Sequence, residues 1–119
     1  MWTGVKTKAE FLVLQIERLE GGLLPLAVLL LDVERDRLYT RTRSDIDDVS
    51  VRGDAEILAQ FLSDLSDDAL TESGSAIIAN LEDTLSNAVR ITERTPIEVE
   101  GIELALESLY YDVIVAKKY

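Results

Sequence analysis

Arg37, Tyr39, Arg41 and Arg43 stand at alternate positions of one short segment. In a strand, that spacing puts all four side chains on one face. Guanidiniums beside an aromatic ring can grip a carboxylate, a phosphate or an acidic protein surface. This is the basic concentration of an otherwise acidic chain, and so the candidate contact for a small anion or a protein partner. The competing reading is a solvated outer sheet face neutralised by nearby acids.

Carboxylates offer a second kind of chemistry. Asp32, Glu34 and Asp36 cluster at one expected turn, and Glu82 and Asp83 adjoin on an expected helix. Two carboxylates across a cleft can do acid–base work, and with a divalent cation they can support hydrolysis. Adjacent helical residues do not face each other, so Glu82 and Asp83 cannot share one site. The acidic run SDIDDVSVRGDAE places Asp47 and Glu56 at calcium-loop positions counted from Asp45, but Val49 and Ser50 stand where an acid or amide and a glycine are needed. A solvated loop leading into a helix is the simpler reading. Asp83 to Ala88 gathers hydroxyls and an amide, and a helix C-cap at Asn87 accounts for them.

The chain contains no histidine and no cysteine. Histidine is the usual general base and the commonest transition-metal ligand. Ser–His–Asp triads, Cys–His nucleophiles and ordinary zinc sites are therefore excluded. The lysines, Lys6, Lys8, Lys117 and Lys118, stand at the chain ends, so a Ser–Lys dyad would need a terminus folded into a cleft. Neither GxxxxGK[ST] nor GxGxxG occurs, and no cofactor is expected.

The formal net charge is −11, which repels nucleic-acid phosphates and anionic membranes. The apolar run Leu23 to Leu31 is shorter than the roughly 20 residues a bilayer span needs. The N-terminal sequence MWTGVKTKAE lacks the apolar core of a signal peptide, which with the missing cysteines gives the expectation of a cytoplasmic protein.

The elements that must position these residues follow from periodicity. A single domain over residues 1–119 is expected, because the length suits one core and no linker interrupts the chain. FLVLQIERL (Phe11 to Leu19) puts Leu12, Leu14 and Ile16 on one strand face, and Gly21-Gly22 ends it. Leu23 to Val33 is apolar on both faces, as a central strand is, with Pro25 near its start or at a bulge. A short charged turn leads into a third strand over Leu38 to Arg43, completing an antiparallel meander. Ile57, Leu58, Phe61, Leu62 and Leu65 mark a helix over 54–65. Ser75 reads as the N-cap of a second helix carrying Ile77, Ile78, Leu81 and Leu85. Ala88 to Glu93 reads as a later strand that Pro96 ends or edges, and Ile102 to Val115 as a helix, with a strand as the alternative for its β-branched end.

The expected fold is α+β: a small antiparallel sheet, built of an N-terminal three-stranded meander plus a later strand, covered on one face by two to three helices. The expected function is a non-enzymatic protein-binding domain that self-associates as a homodimer. Its interface falls on the last helix at Leu109, Tyr110 and Val113, because tyrosine and apolar residues suit interfaces. A small-anion or metabolite sensor using the arginine face is the alternative, and a carboxylate-based metal-dependent hydrolase is the third reading.

Overall fold

The computed structural model describes residues 6–19, 21–43, 55–84 and 89–115. The acidic run over 44–54, the side chains of Ile57 and Leu85, Ser86, Asn87 and Tyr119 lie outside these, and with them the calcium-loop spacing and the Asn87 cap. The fold is α+β: a small antiparallel sheet of five strands with three helices. Strands β1 (Thr7–Glu17), β2 (Leu23–Asp32) and β3 (Arg37–Thr42) form the N-terminal meander. Helices α1 (Ala55–Thr71) and α2 (Gly74–Thr84) follow, then β4 (Val89–Ile91), β5 (Thr95–Val99) and α3 (Ile102–Tyr110), which runs into a π-helical turn at Tyr111–Val115. The segment 102–115 is thus helical throughout, and its β-branched end takes the wider π turn rather than a strand.

The β1–β2 turn needs its glycines, since Gly21 and Gly22 have φ of 100° and 84°, where a Cβ would be strained. In β2, the register slips between Leu14 and Gln15 of its partner, so Leu14 faces Ala27 while Gln15 faces Pro25. The extra residue, Leu26, is a bulge. It reverses the alternation, so Leu24 before it, Leu26 itself and Ala27, Leu29 and Leu31 after it all join one core. Pro25 therefore sits beside a bulge, where its missing N–H is tolerated.

The later strand is divided, where the sequence suggested one strand over 88–93. β4 pairs with β1 at Leu14 to Ile16, and β5 pairs with β1 at Thr7 to Phe11. Between them Thr92 leaves the strand path but keeps the ladder closed: its N–H donates to the Val13 carbonyl at 3.0 Å, and its Oγ1 accepts the Val13 N–H at 2.8 Å. Pro96 lies within β5 opposite Glu10, at the sheet edge, where a missing donor does no harm.

Each sheet face has its own core. Leu12, Leu14, Ile16, Leu29 and Leu38 pack against Leu58, Leu62, Leu65, Ile77, Ile78 and Leu81 of α1 and α2. α1 runs past the expected end at residue 65 because Ala69 still reaches this core. These two helices supply the one-face cover that the periodicity implied, and α3 adds cover to the opposite face. There Ala9, Val28 and Leu30 meet Leu106 and Ile114, with Phe11, Ile97 and Val99 half-buried around them. Among the described residues no helix is long and apolar enough to cross a membrane.

α2 is fastened to the β2–β3 turn by a close approach. An ideal Cβ on Gly74 would lie 2.7 Å from the Leu38 nitrogen, 2.9 Å from the Arg37 carbonyl carbon and 2.5 Å from a Leu31 methyl. Two of these neighbours are backbone and cannot swing aside. Gly74→Ala is expected to lower unfolding free energy by about 1–3 kcal/mol, the usual cost of overpacking, measured by urea titration. Thr92→Val keeps the shape but removes the acceptor for the Val13 N–H, and is expected to cost about 1–3 kcal/mol in the same measurement.

Candidate functional site

The arginine face of β3 forms as a face, but each member is engaged within the fold. Tyr39 is half-buried in the core beneath α3. Arg41 pairs with Glu107 of α3, and its guanidinium lies 5.0 Å from the centroid of the Tyr110 ring. A cation over a ring face is attracted by the ring quadrupole, so Arg41 pins α3 to the sheet edge. Both ends of the Arg41–Glu107 pair are largely exposed, which makes the ion pair itself worth little. Arg37 reaches the other way, its Nη2 donating to the Leu70 carbonyl of α1 at 3.4 Å. Arg43 is buried past the end of β3, and its N–H donates to the Leu26 carbonyl. Arg37, Tyr39 and Arg41 thus tie β3 to helices on both sides, while the backbone of Arg43 pairs with β2.

The carboxylates of the β2–β3 turn are also structural. Asp32 is fully buried, and its Oδ1 accepts the N–H groups of Glu34 and Arg35 at 3.1 and 3.2 Å. Its Oδ2 pairs with the Arg35 guanidinium at 3.2 Å. Asp36 adopts a left-handed φ of 55°, which aspartate tolerates. Its carboxylate accepts the Ser75 N–H at 2.8 Å and the Ser73 hydroxyl, and its carbonyl accepts the Gly74 N–H. Ser73, rather than Ser75, is the N-cap of α2: its Oγ accepts the Ala76 N–H at 3.4 Å and its carbonyl takes the first intrahelical bond, from Ile77. The Ser75 hydroxyl lies 3.2 Å from the Ser73 hydroxyl, while its backbone N–H donates to Asp36 from a distant turn.

A third cluster centres on Arg94, in the break between β4 and β5. Its guanidinium makes a two-pronged pair with Glu82 of α2 at 3.0 and 3.3 Å and reaches Glu10 of β1 at 3.4 Å. These carboxylates hold its proton more firmly than usual, the Glu82 hydrogen bonds contributing most. Glu82 and Asp83 are not paired for acid–base work: Glu82 serves Arg94, and Asp83 is exposed. Among the described residues no group of three or more potential ligands is placed to hold a metal ion.

Leu109, Tyr110 and Val113 face the sheet and are half-buried against its second core. The outward side of the same helix was missed by the sequence reading. Leu104 is 79% exposed, Tyr111 59% and Val115 40%. These positions, with exposed Ser108, run at intervals of four, three and four residues, so they line one stripe. The signal was present in the sequence as LESLYYDVIV, but two apolar stripes on one short helix overlap there. Burial alone separates them.

Two hollows are formed by described residues. A cleft of about 390 Å³ lies at the tip of the β1–β2 hairpin, lined by Glu17, Arg18, Leu19, Gly21, Gly22, Leu23 and Arg90. There Arg90 pairs with Glu17 at 3.3 Å. A smaller groove of about 170 Å³ lies between α1 and α2. No family model matches the chain, and comparisons with curated proteins and with solved structures find no match.

The Asp36 hydrogen bonds hold its carboxyl below the ordinary 3.8, the Ser73 hydroxyl first and then Ser75. A depressed folded value means the ionised form favours folding. That contribution is complete above the unfolded value and is lost as pH falls through the lower folded one. Asp36→Asn keeps the shape and the left-handed backbone but removes the charge. It is expected to melt below the parent at neutral pH, with the gap closing as pH falls below 3.8, followed by circular dichroism.

Proposed function

We propose that this chain is a non-enzymatic protein-interaction domain that associates with a second copy of itself through α3. The observation that carries this reading is the outward stripe of Leu104, Tyr111 and Val115, large apolar side chains exposed on a helix whose other side is already packed. The stripe is bordered by the exposed acids Glu103, Glu107 and Asp112, so it has the apolar centre and polar rim of a contact patch. Exposed apolar patches of this kind mark contact surfaces, and tyrosine is favoured there for its area and polar tip. Ser108 in the middle of the stripe is small enough to let a partner helix approach. A two-fold axis beside the stripe would place each helix against its counterpart, giving a closed, self-complementary contact.

The chemistry elsewhere agrees with a binding role. The chain has no histidine or cysteine, and Asp32, Asp36, Glu82 and Glu107 are held in ion pairs or caps. Light scattering after size exclusion is expected to give twice the chain mass for the parent at micromolar concentration. Leu104→Glu with Tyr111→Glu is expected to give the single-chain mass with an unchanged helical spectrum, since both side chains are exposed. A parent protein that elutes as a monomer at high micromolar concentration overturns the proposal.

A further inference from the structure

The two sheet faces differ in charge as well as in cover. Residues 55–84, which hold α1 and α2, contain seven carboxylates and no lysine or arginine, so this stretch alone carries seven of the eleven net negative charges. Three of those carboxylates, Asp64 and Asp68 on α1 and Glu72 just past its end, recur every fourth residue along the groove with α2. Positions so spaced rise about 6 Å apart on one helix face. The groove floor is apolar: Leu65, Ile77 and Leu81 are buried beneath it and Phe61 is half-buried at one end. Among the described residues no basic side chain lines it. Asp64 accepts a hydrogen bond from Gln60 at 2.9 Å, and Asp68 and Glu72 are exposed.

We infer that this groove is a second contact surface, distinct from the α3 stripe, that receives an arginine side chain from a basic amphipathic segment of a partner protein. The fit is chemical and dimensional. The groove's 170 Å³ admits one long side chain rather than a whole helix. Arginine has an apolar stem to lie along the Phe61–Ile77 floor and a planar head with five donors for the carboxylate row. A guanidinium is less strongly hydrated than an ammonium and can bridge carboxylate oxygens two at a time, so it gains more than lysine from a row of acids over an apolar floor. The surrounding field, negative over the whole α1–α2 layer, draws a basic segment in and sets it against the acidic partners this chain would otherwise meet.

The probe is a fluorophore-labelled amphipathic peptide of leucine and arginine, read by anisotropy against the full chain, beside the same peptide with citrulline for arginine. The arginine peptide is expected to bind and the citrulline peptide to bind roughly tenfold more weakly or not at all. Two variants separate a local groove from diffuse charge. Asp64→Asn with Asp68→Asn and Glu72→Gln removes three charges at the groove. Glu93→Gln with Glu98→Gln and Glu100→Gln removes three exposed charges elsewhere. The groove variant is expected to weaken binding roughly tenfold or more, and the control variant less than about threefold. Ala76→Trp, which fills the groove from its exposed rim without changing charge, is expected to weaken binding as well. Equal losses in the two charge variants, binding that survives Ala76→Trp, or no measurable binding of the arginine peptide each overturn the inference. None of these readouts depends on whether the chain is monomer or dimer.

Discussion

The joint between the β2–β3 turn and the start of α2 fixes how the α1–α2 layer meets the sheet. Asp32, fully buried, holds the turn from inside through two backbone N–H groups. Asp36, in its left-handed conformation, turns its carboxylate and carbonyl toward residues 73 to 75. Gly74 lets the helix come to rest on the backbone of β3 itself. An N-terminus has donors without intrahelical partners, and a turn has acceptors to offer, so each satisfies the other. Once α2 starts at that point, its angle to α1 is set, and with it the groove that opens between them.

A second constraint runs through β1, which pairs with β2 on one side and with both β4 and β5 on the other. The outer strand bends away at 92–94, and that break is where polar side chains gather. Thr92 replaces a missing ladder acceptor, and Arg94 joins α2, β1 and the broken edge through Glu82 and Glu10. A broken, proline-bearing edge is also a poor template for further strand pairing. The break thus keeps the sheet from extending on that side.

The arginines have a consistent place in this plan. Arg41 to Glu107, Arg90 to Glu17 and Arg94 to Glu10 each join elements far apart in sequence. Exposed pairs add little stability singly, but they place positive charge along the sheet and its edges. The acidic surplus then concentrates on α1 and α2, while α3 presents an apolar stripe on the opposite side. One small sheet so separates two chemically different surfaces.

The alternation of Leu12, Leu14 and Ile16, the doubly apolar β2 and the helical stripes of α1 and α2 were determined by the sequence itself, because their periods are local and each burial partner lies on a predictable face. The same local pattern put Arg37, Tyr39, Arg41 and Arg43 on one side of β3. What those arginines touch was decided only by the tertiary structure, since Glu107 lies 66 residues from Arg41 and Leu70 lies 33 from Arg37. The division of the outer strand likewise depends on Thr92 meeting Val13 across 79 residues. The cap of α2 moved from Ser75 to Ser73 because an aspartate from a distant turn took the Ser75 N–H. The two stripes of α3 are both written in LESLYYDVIV, but only packing against the sheet assigns Leu109, Tyr110 and Val113 inward and Leu104, Tyr111 and Val115 outward. Periodicity fixes which residues share a side of an element; which side is covered depends on contacts between segments that no local pattern records.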